Sequence, residues 1–508
     1  MRQKYHQGAW SLLSQRQRMS PFPNYLSMEA VCREMKQFVG IALRDVILFF
    51  QGNIMFAFQP LLSHQRAARL IADRVQKNPR LYAGLIKKQH GYGKNLVNFA
   101  RQAARQTRRG KASPQQLCDW FTGYAQRYKL VYASYGSVWT MEDELVGDLY
   151  ALVEKRIKDP LEASNILNTL TKQPLAMVVT RERQALLKMA MSIALHQEWQ
   201  QAVRAGEWSG IKKYQPLLRL ITAHQKKFYW ITRDYEDPIL TNEKIIERLR
   251  QVLAGDVAQE YRQLTDALAN DLAARKRYEK ELRLTAAERQ LFAAMRDAAH
   301  LKELRKQYVS SSLYHFDSVL AEIGKHLYLS IKQVRFMHTA DVAAALLKGR
   351  DLTRALNERM KLSMWHTVDG RDTKVSVGPE AAAMFARFCT VDKNTREFTG
   401  MPVSPGLARG PARLVMNPDE CDKVQKGDII VSIQVVPSFS TAIIKSAGMV
   451  CDGGHGITSH PATLAREAKI PCVIQTRFAR EVVKDGDILE VDGYQGVVRI
   501  IDKKDAGR

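Results

Sequence analysis

The sequence predicts a multidomain protein of α + α/β class: a large, mostly helical N-terminal region with one short β-hairpin, then a smaller C-terminal α/β domain. Three observations predict it. Apolar residues recur every three or four positions through most of residues 1–380. After about Phe398, Gly and Pro become frequent and short β-branched runs replace that period. The chain has 508 residues, 45% hydrophobic and 25% charged, a composition of folded rather than disordered proteins.

The boundary is set at residues 1–398 and 399–508, and the helical part is divisible into two subdomains near 235–240. The hairpin comes first: Val46-Ile-Leu-Phe-Phe50 and Ile54-Met-Phe-Ala-Phe58 flank Gln51-Gly52-Asn53. The motif His90-Gly91-Tyr92-Gly93-Lys94-Asn95 lacks the spacing of a nucleotide-binding loop and reads as a turn between helices. Further on, Leu240 to Leu253 has helical periodicity with Thr241 as N-cap, and Thr285-Ala-Ala-Glu288 is a capping box. In the C-terminal part, strands are expected at 427–432, 447–450, 471–474, 486–491 and 496–501, with a helix near 463–468.

Composition narrows the function classes. The six cysteines are scattered, without the spacing of a zinc site, so no metal is expected and free thiols in a reducing compartment are the simple reading. The first thirty residues lack the apolar run of a signal peptide. Phe38 to Leu62 is broken by Arg44, Asp45, Gln51 and Asn53 and does not read as a membrane span, so a cytoplasmic location is expected. Net charge is +25, of which residues 1–398 carry +24. It is densest from His64 to Lys129, with 15 basic and 2 acidic residues, including Arg101, Arg105, Arg108, Arg109 and Lys111. That stretch suits nucleic acid, an acidic partner or a nucleotide, or is a solvated helix face. Sparse aromatic interleaving and the lack of a nucleic-acid module favour the solvated face.

The chemistry concentrates in Val450 to Ile474. A strand runs into a Gly-rich turn, then Thr458-Ser459-His460, with Pro461 at the start of a helix. His460 therefore sits at a helix N-terminus, where free backbone N–H groups and the positive dipole end favour an anion. An imidazole there can attack a phosphoryl group, with Gly456, Thr458 and Ser459 supporting the phosphate and Arg466, two turns on, reaching back. On these residues alone, a structural turn histidine is the competing reading.

The run Thr458-Ser459-His460-Pro461-Ala462, with Ala465-Arg466-Glu467 and Ile470-Pro471, resembles the swivelling phosphohistidine domain of phosphoenolpyruvate-utilising enzymes. Gly400 to Gly410 resembles its opening; Leu489-Glu-Val-Asp-Gly493 and Gly496 resemble its closing strands. His224, Tyr229-Trp230-Ile231 and Tyr235 resemble a motif in the helical regions that precede it. The resemblance implies a β/β/α swivelling fold and makes His460 the phosphoryl carrier. Two positions depart from the family: His455-Gly456 replaces a Gly-Gly pair, and Gln434-Val-Val-Pro437 lacks a threonine common there. His455 joins the phosphate site or occupies the loop.

The full enzymes add an ATP-grasp domain and often a pyruvate-binding barrel, and neither is expected in this chain. The resemblance then implies a phosphotransferase component fed in trans by an ATP-grasp subunit holding ATP and magnesium, or by phosphoenolpyruvate, and serving a small-molecule acceptor. The alternatives are a non-catalytic scaffold and a basic, nucleic-acid-associated helical protein.

Overall fold

A computed structural model of the protein describes residues 10–110, 112–173, 178–368, 370, 373–389, 393–433, 435, 439–453, 459–476 and 478–503. It is largely helical, with two sheets. The N-terminal sheet has five antiparallel strands: β1 (Trp10–Gln17), β2 (Val46–Gln51), β3 (Ile54–Pro60), β4 (Leu362–Thr367) and β5 (Thr373–Val377), in the order β1-β3-β2-β4-β5.

The expected hairpin is β2–β3, with Gln51 opposite Ile54 and Gly52 at φ 61° in the turn. It is the centre of a larger sheet rather than an isolated pair, and β2 shows why. Ile47 and Phe49 pack on the helix Gly378–Cys389, where the Phe385 and Phe388 rings lie 5.5 and 5.7 Å from Phe49. Val46, Leu48 and Phe50 join the main helical core on the other face. A strand covered on both faces reads as a continuous apolar run, and its buried backbone needs partners on both edges. β4 supplies the second edge, Val46 pairing with Thr367 and Gln51 with Leu362.

The helices Leu61–Lys77, Leu81–Arg108, Pro114–Glu154 and Ala286–Leu327 build the main core against this sheet. The segment His90–Asn95, read above as a turn, lies inside the helix Leu81–Arg108. Gly93 is there for close approach to the helix Ala286–Leu327: a Cβ would stand 2.1 Å from Tyr308 Cδ2. The Tyr308 hydroxyl in turn lies 2.8 Å from His90 Nδ1. Both expected caps are present. Thr241 Oγ1 accepts from Lys244 N, and Thr285 and Glu288 exchange bonds of 3.2 and 2.8 Å.

A second core is formed by the helices Val178–Ala194, Gln197–Ala205, Gln215–Phe228 and Asn242–Leu253, around Leu186, Ile221 and Leu249. This core runs from Leu186 to Val257, straight across 235–240, so the cores divide the helical region elsewhere than at that point. His224 belongs to it. Its Nε2 lies 2.8 Å from Oε1 of Glu182, which is 1% exposed, and Arg248 donates to both Glu182 oxygens at 2.8 and 2.7 Å.

The C-terminal sheet has eight strands: β6 (Glu397–Thr399), β7 (Met401–Ser404), β8 (Leu407–Leu414), β9 (Ile429–Ser432), β10 (Gly448–Cys451), β11 (Cys472–Ile474), β12 (Ile488–Asp492) and β13 (Val497–Asp502), in the order β6-β13-β12-β8-β9-β10-β11-β7. β8 to β11 run parallel and the remaining pairs are antiparallel. Side chains alternate strictly between two cores. Ile429, Val431, Val450 and Val473 face Leu489 and Val498, while Ile430, Met449, Cys451 and Cys472 face Ala462 and Ala465 of the helix His460–Glu467.

Two predictions follow from packing and charge. Gly93→Ala gains about 1 kcal/mol of helix propensity but meets the Tyr308 ring, and overpacking costs about 1–3 kcal/mol, so its Tm falls. Gly84, on the same helix with open space around it, gives a higher Tm as Gly84→Ala. The second concerns Glu182. Burial raises the pKa of its carboxyl, but the hydrogen bonds from His224 and Arg248 outweigh this and hold it below the ordinary 4.5. Its stabilisation is complete above that value and lost as pH falls through the depressed one. Glu182→Gln lowers Tm at pH 7, by the few kcal/mol typical of a broken buried pair, and flattens the loss of Tm below pH 4.5.

Candidate functional site

The parallel strands β9, β10 and β11 end at one edge of the C-terminal sheet. There Asp452 N donates to Ser432 O at 2.9 Å, Gly453 N to Ile433 O at 2.8 Å, and Thr476 N to Cys451 O at 3.1 Å. The carboxyl edge of parallel strands is where ligands are met in α/β sheets, because the chain must leave each strand there through a loop. The loop leaving β10 leads to Ser459, which is extended at φ −67° and ψ 159° and stands as N-cap of the helix His460–Glu467.

His460 thus enters the site as the first residue of that helix, with Pro461 following, as the sequence implies. Gly456, Thr458 and His455 lie outside the described residues, as does Gln434 and its neighbours at 436–438. Ser459 is 8% exposed, its side chain makes no capping bond, and its Oγ is buried with no hydrogen-bond partner among the described residues. A buried hydroxyl at a helix N-terminus with no partner among the described residues is an arrangement an anion satisfies.

Arg466 sits in the last turn of the same helix and is 6% exposed. Its Nη1 donates to Val403 O on β7 at 2.8 Å, and burial draws its guanidinium down to about 10. This contact anchors the helix on the sheet edge formed by β7 and β11.

Sequence reasoning missed Asp452. It is 1% exposed and accepts from Thr476 Oγ1 at 2.9 Å, from Ala479 N at 2.5 Å and from Arg480 N at 3.3 Å, while Arg480 Nε lies 3.5 Å away. Burial lifts its carboxyl to about 6 against these bonds. It ties the exit of β10 to the segment after β11 and thereby sets where the loop toward His460 begins. The signal was present only as Cys451-Asp452-Gly453, a pattern common to strand ends.

The glycines that carried the resemblance have steric reasons. A Cβ on Gly400 would stand 2.3 Å from Ile474 O, on Gly410 2.3 Å from Gly427 O, and on Gly493 2.1 Å from Ser404 O. These close approaches hold the strands around the site edge together. Among the described residues no cluster of three or more His, Cys, Asp or Glu is placed to hold a metal ion, and no helix is long and apolar enough to cross a membrane.

The mixed sheet thus sets His460 as the first residue of a short helix that follows the carboxyl end of a parallel strand. Residues 424–496 match the sequence profile of the PEP-utilising enzyme, mobile domain. Over those residues the chain resembles the mobile domain of phosphoenolpyruvate-utilising enzymes. Over 99 residues it is 39% identical to a probable phosphoenolpyruvate synthase of Methanothermobacter thermautotrophicus, an alignment covering 20% of this chain and 14% of that protein. Over 110 residues it is 38% identical to the phosphoenolpyruvate synthase of Pyrococcus furiosus, covering 21% and 13%. Over 113 residues it is 34% identical to an uncharacterized phosphotransferase of Bacillus subtilis, covering 22% and 14%. The chain thus spans only about one seventh of the length of these relatives.

The open hydroxyl at the N-cap gives a test that separates fold from function. Removing an unsatisfied buried polar atom relieves about 1–3 kcal/mol of desolvation, so Ser459→Ala melts at the same temperature or higher. The same variant takes up less phosphoryl label than the native chain, read by autoradiography. A fall in Tm would mean that Ser459 holds the native fold rather than a ligand.

Proposed function

We propose that this chain is a phosphotransferase component in which His460 carries a phosphoryl group to a small-molecule acceptor. The observation that carries the reading is His460 at the head of its helix beside the unsatisfied Ser459 hydroxyl, within a domain matching the mobile domain of the family. An imidazole nitrogen attacks phosphorus; the N–P bond forms as the P–O bond to the donor breaks, and the leaving oxyanion departs with the electron pair. In the second half the acceptor hydroxyl attacks phosphorus, its proton passes to solvent, and neutral imidazole is released. Backbone N–H groups of the helix start, with Gly456, Thr458 and Ser459, hold the phosphate oxygens, while Arg466, expected from the sequence to reach back to them, instead anchors the last turn of the helix on Val403 O.

The donor is ATP held by an ATP-grasp subunit acting in trans, or phosphoenolpyruvate. Magnesium belongs with that nucleotide and no residue of this chain is assigned to it. The names of the aligned relatives, phosphoenolpyruvate synthase and phosphotransferase, support phosphoryl transfer as the class of chemistry.

The test labels the purified chain with ATP carrying radioactive phosphate at the γ position and, separately, at the β position, and also with labelled phosphoenolpyruvate, each with and without lysate of the source cells. Acid-labile, alkali-stable label that disappears in His460→Ala and requires lysate for ATP supports a carrier fed by a partner. Absence of label under every condition sinks the carrier reading and leaves a scaffold.

A further inference from the structure

The helical region holds a cavity that the chemistry at His460 does not use. It lies between one face of the five-stranded sheet and the helices Pro114–Glu154 and Ala286–Leu327, with a volume of about 130 Å³. The sheet contributes an apolar wall of Val46, Leu48, Met55 and Ala57. The helices contribute Tyr132, Tyr135 and Trp139 and two cations, Lys302 and Arg305; β1 adds a third, Arg16.

The cations are not equally matched. Arg16 lies 3.5 Å from Asp234 and Lys302 lies 3.5 Å from Glu142. No carboxylate among the described residues pairs with Arg305, whose guanidinium instead lies 4.7 and 5.5 Å from the ring centres of Tyr135 and Tyr132. Arg305 Nε and Trp139 Nε1 are both buried without a hydrogen-bond partner among the described residues. A guanidinium is charged at any ordinary pH, and a buried donor left open costs about 1–3 kcal/mol, so two such donors on one cavity with an apolar wall call for an acceptor that brings negative charge.

We propose that this cavity is a binding site for a small monocyclic aromatic acid, its ring against the tyrosines and the sheet wall and its anionic group accepting from Arg305 and Trp139. At about 130 Å³ the cavity is no larger than the roughly 150 Å³ that holds benzene, so it admits at most one small ring, and the acid group must lie at the Arg305 side rather than within the ring-sized volume. Ring faces and a methionine fit an apolar ring, and the fork of a guanidinium fits the two oxygens of a carboxylate or of a phosphate monoester. The site stands on the cavity and not on phosphoryl transfer.

The full chain is titrated by calorimetry with benzoate, phenyl phosphate and uncharged benzyl alcohol. At least one anion binds ten-fold or more tighter than benzyl alcohol, and whichever binds tighter identifies the acid. Arg305→Gln weakens that binding at least ten-fold, Trp139→Phe weakens it several-fold, and His460→Ala binds as the native chain does. Ala57→Leu fills the cavity from the sheet side without touching the cation and abolishes binding, which keeps the test open if Arg305→Gln does not fold. Binding of none of the probes at millimolar concentration, equal binding of benzyl alcohol, or unchanged binding in Arg305→Gln and Ala57→Leu would overturn the proposal.

Discussion

The pairing of β2 with β4 is the constraint on which the helical region depends. Six residue pairs, Val46–Thr367 to Gln51–Leu362, join strands separated by the whole helical run of the chain. Closing so long a loop costs only slowly more entropy as it lengthens, and the apolar burial on both faces of β2 offsets it. Everything between β3 and β4 is thereby an excursion from one sheet. The face of β2 and β3 that meets the main core is also the apolar wall of the cavity, and the opposite face receives the helix that leads onward to the C-terminal domain.

The same constraint explains what was legible in the sequence. The hairpin showed because its signal is local: two apolar runs around Gln51-Gly52-Asn53. β4 did not, because Leu-Ser-Met-Trp-His-Thr is a strand only by virtue of a partner far away in sequence. β1 was hidden for another reason; as an edge strand with Ser14, Gln15 and Arg16, it needs little apolar character. Gly91 and Gly93 looked like turn residues, yet one sits in open space on a helix and the other makes room for a tyrosine ring. A glycine required by packing cannot be told from a glycine required by φ without knowing the facing residue.

In the C-terminal domain the balance was reversed. Short β-branched strands bounded by Gly and Pro announced β9 to β13: the buried parallel strands β9 to β11 read as apolar runs, and the antiparallel β12 and β13 alternate buried with partly exposed residues. The helix start at His460 was readable from Pro461, because a proline's fixed φ suits the first turn of a helix. Asp452 was not, because its meaning lies in Thr476, Ala479 and Arg480, which only the fold brings to it. Likewise His224 carried a family resemblance in sequence, and the structure shows a buried partner of Glu182 instead of a ligand contact.

The uneven charge acquires a role once a phosphoryl group is considered. Residues 399–508 are nearly neutral, with 14 basic and 13 acidic side chains, while residues 1–398 carry +24. Arg101, Arg105 and Arg108 are exposed along one helix, and Arg101 Nε donates to His315 Nε2 at 3.1 Å. Burial and these three arginines depress His315 to about 4, so the patch gains no further charge near neutral pH. On the proposed reading, phosphorylation adds about −1.5 to −2 to the near-neutral domain and turns its net charge negative. On that reading the cationic helical surface attracts the loaded domain more than the spent one. Such a charge difference favours docking of the loaded state over the spent one without any change in shape, and salt at physiological strength confines it to contacts within about 8 Å.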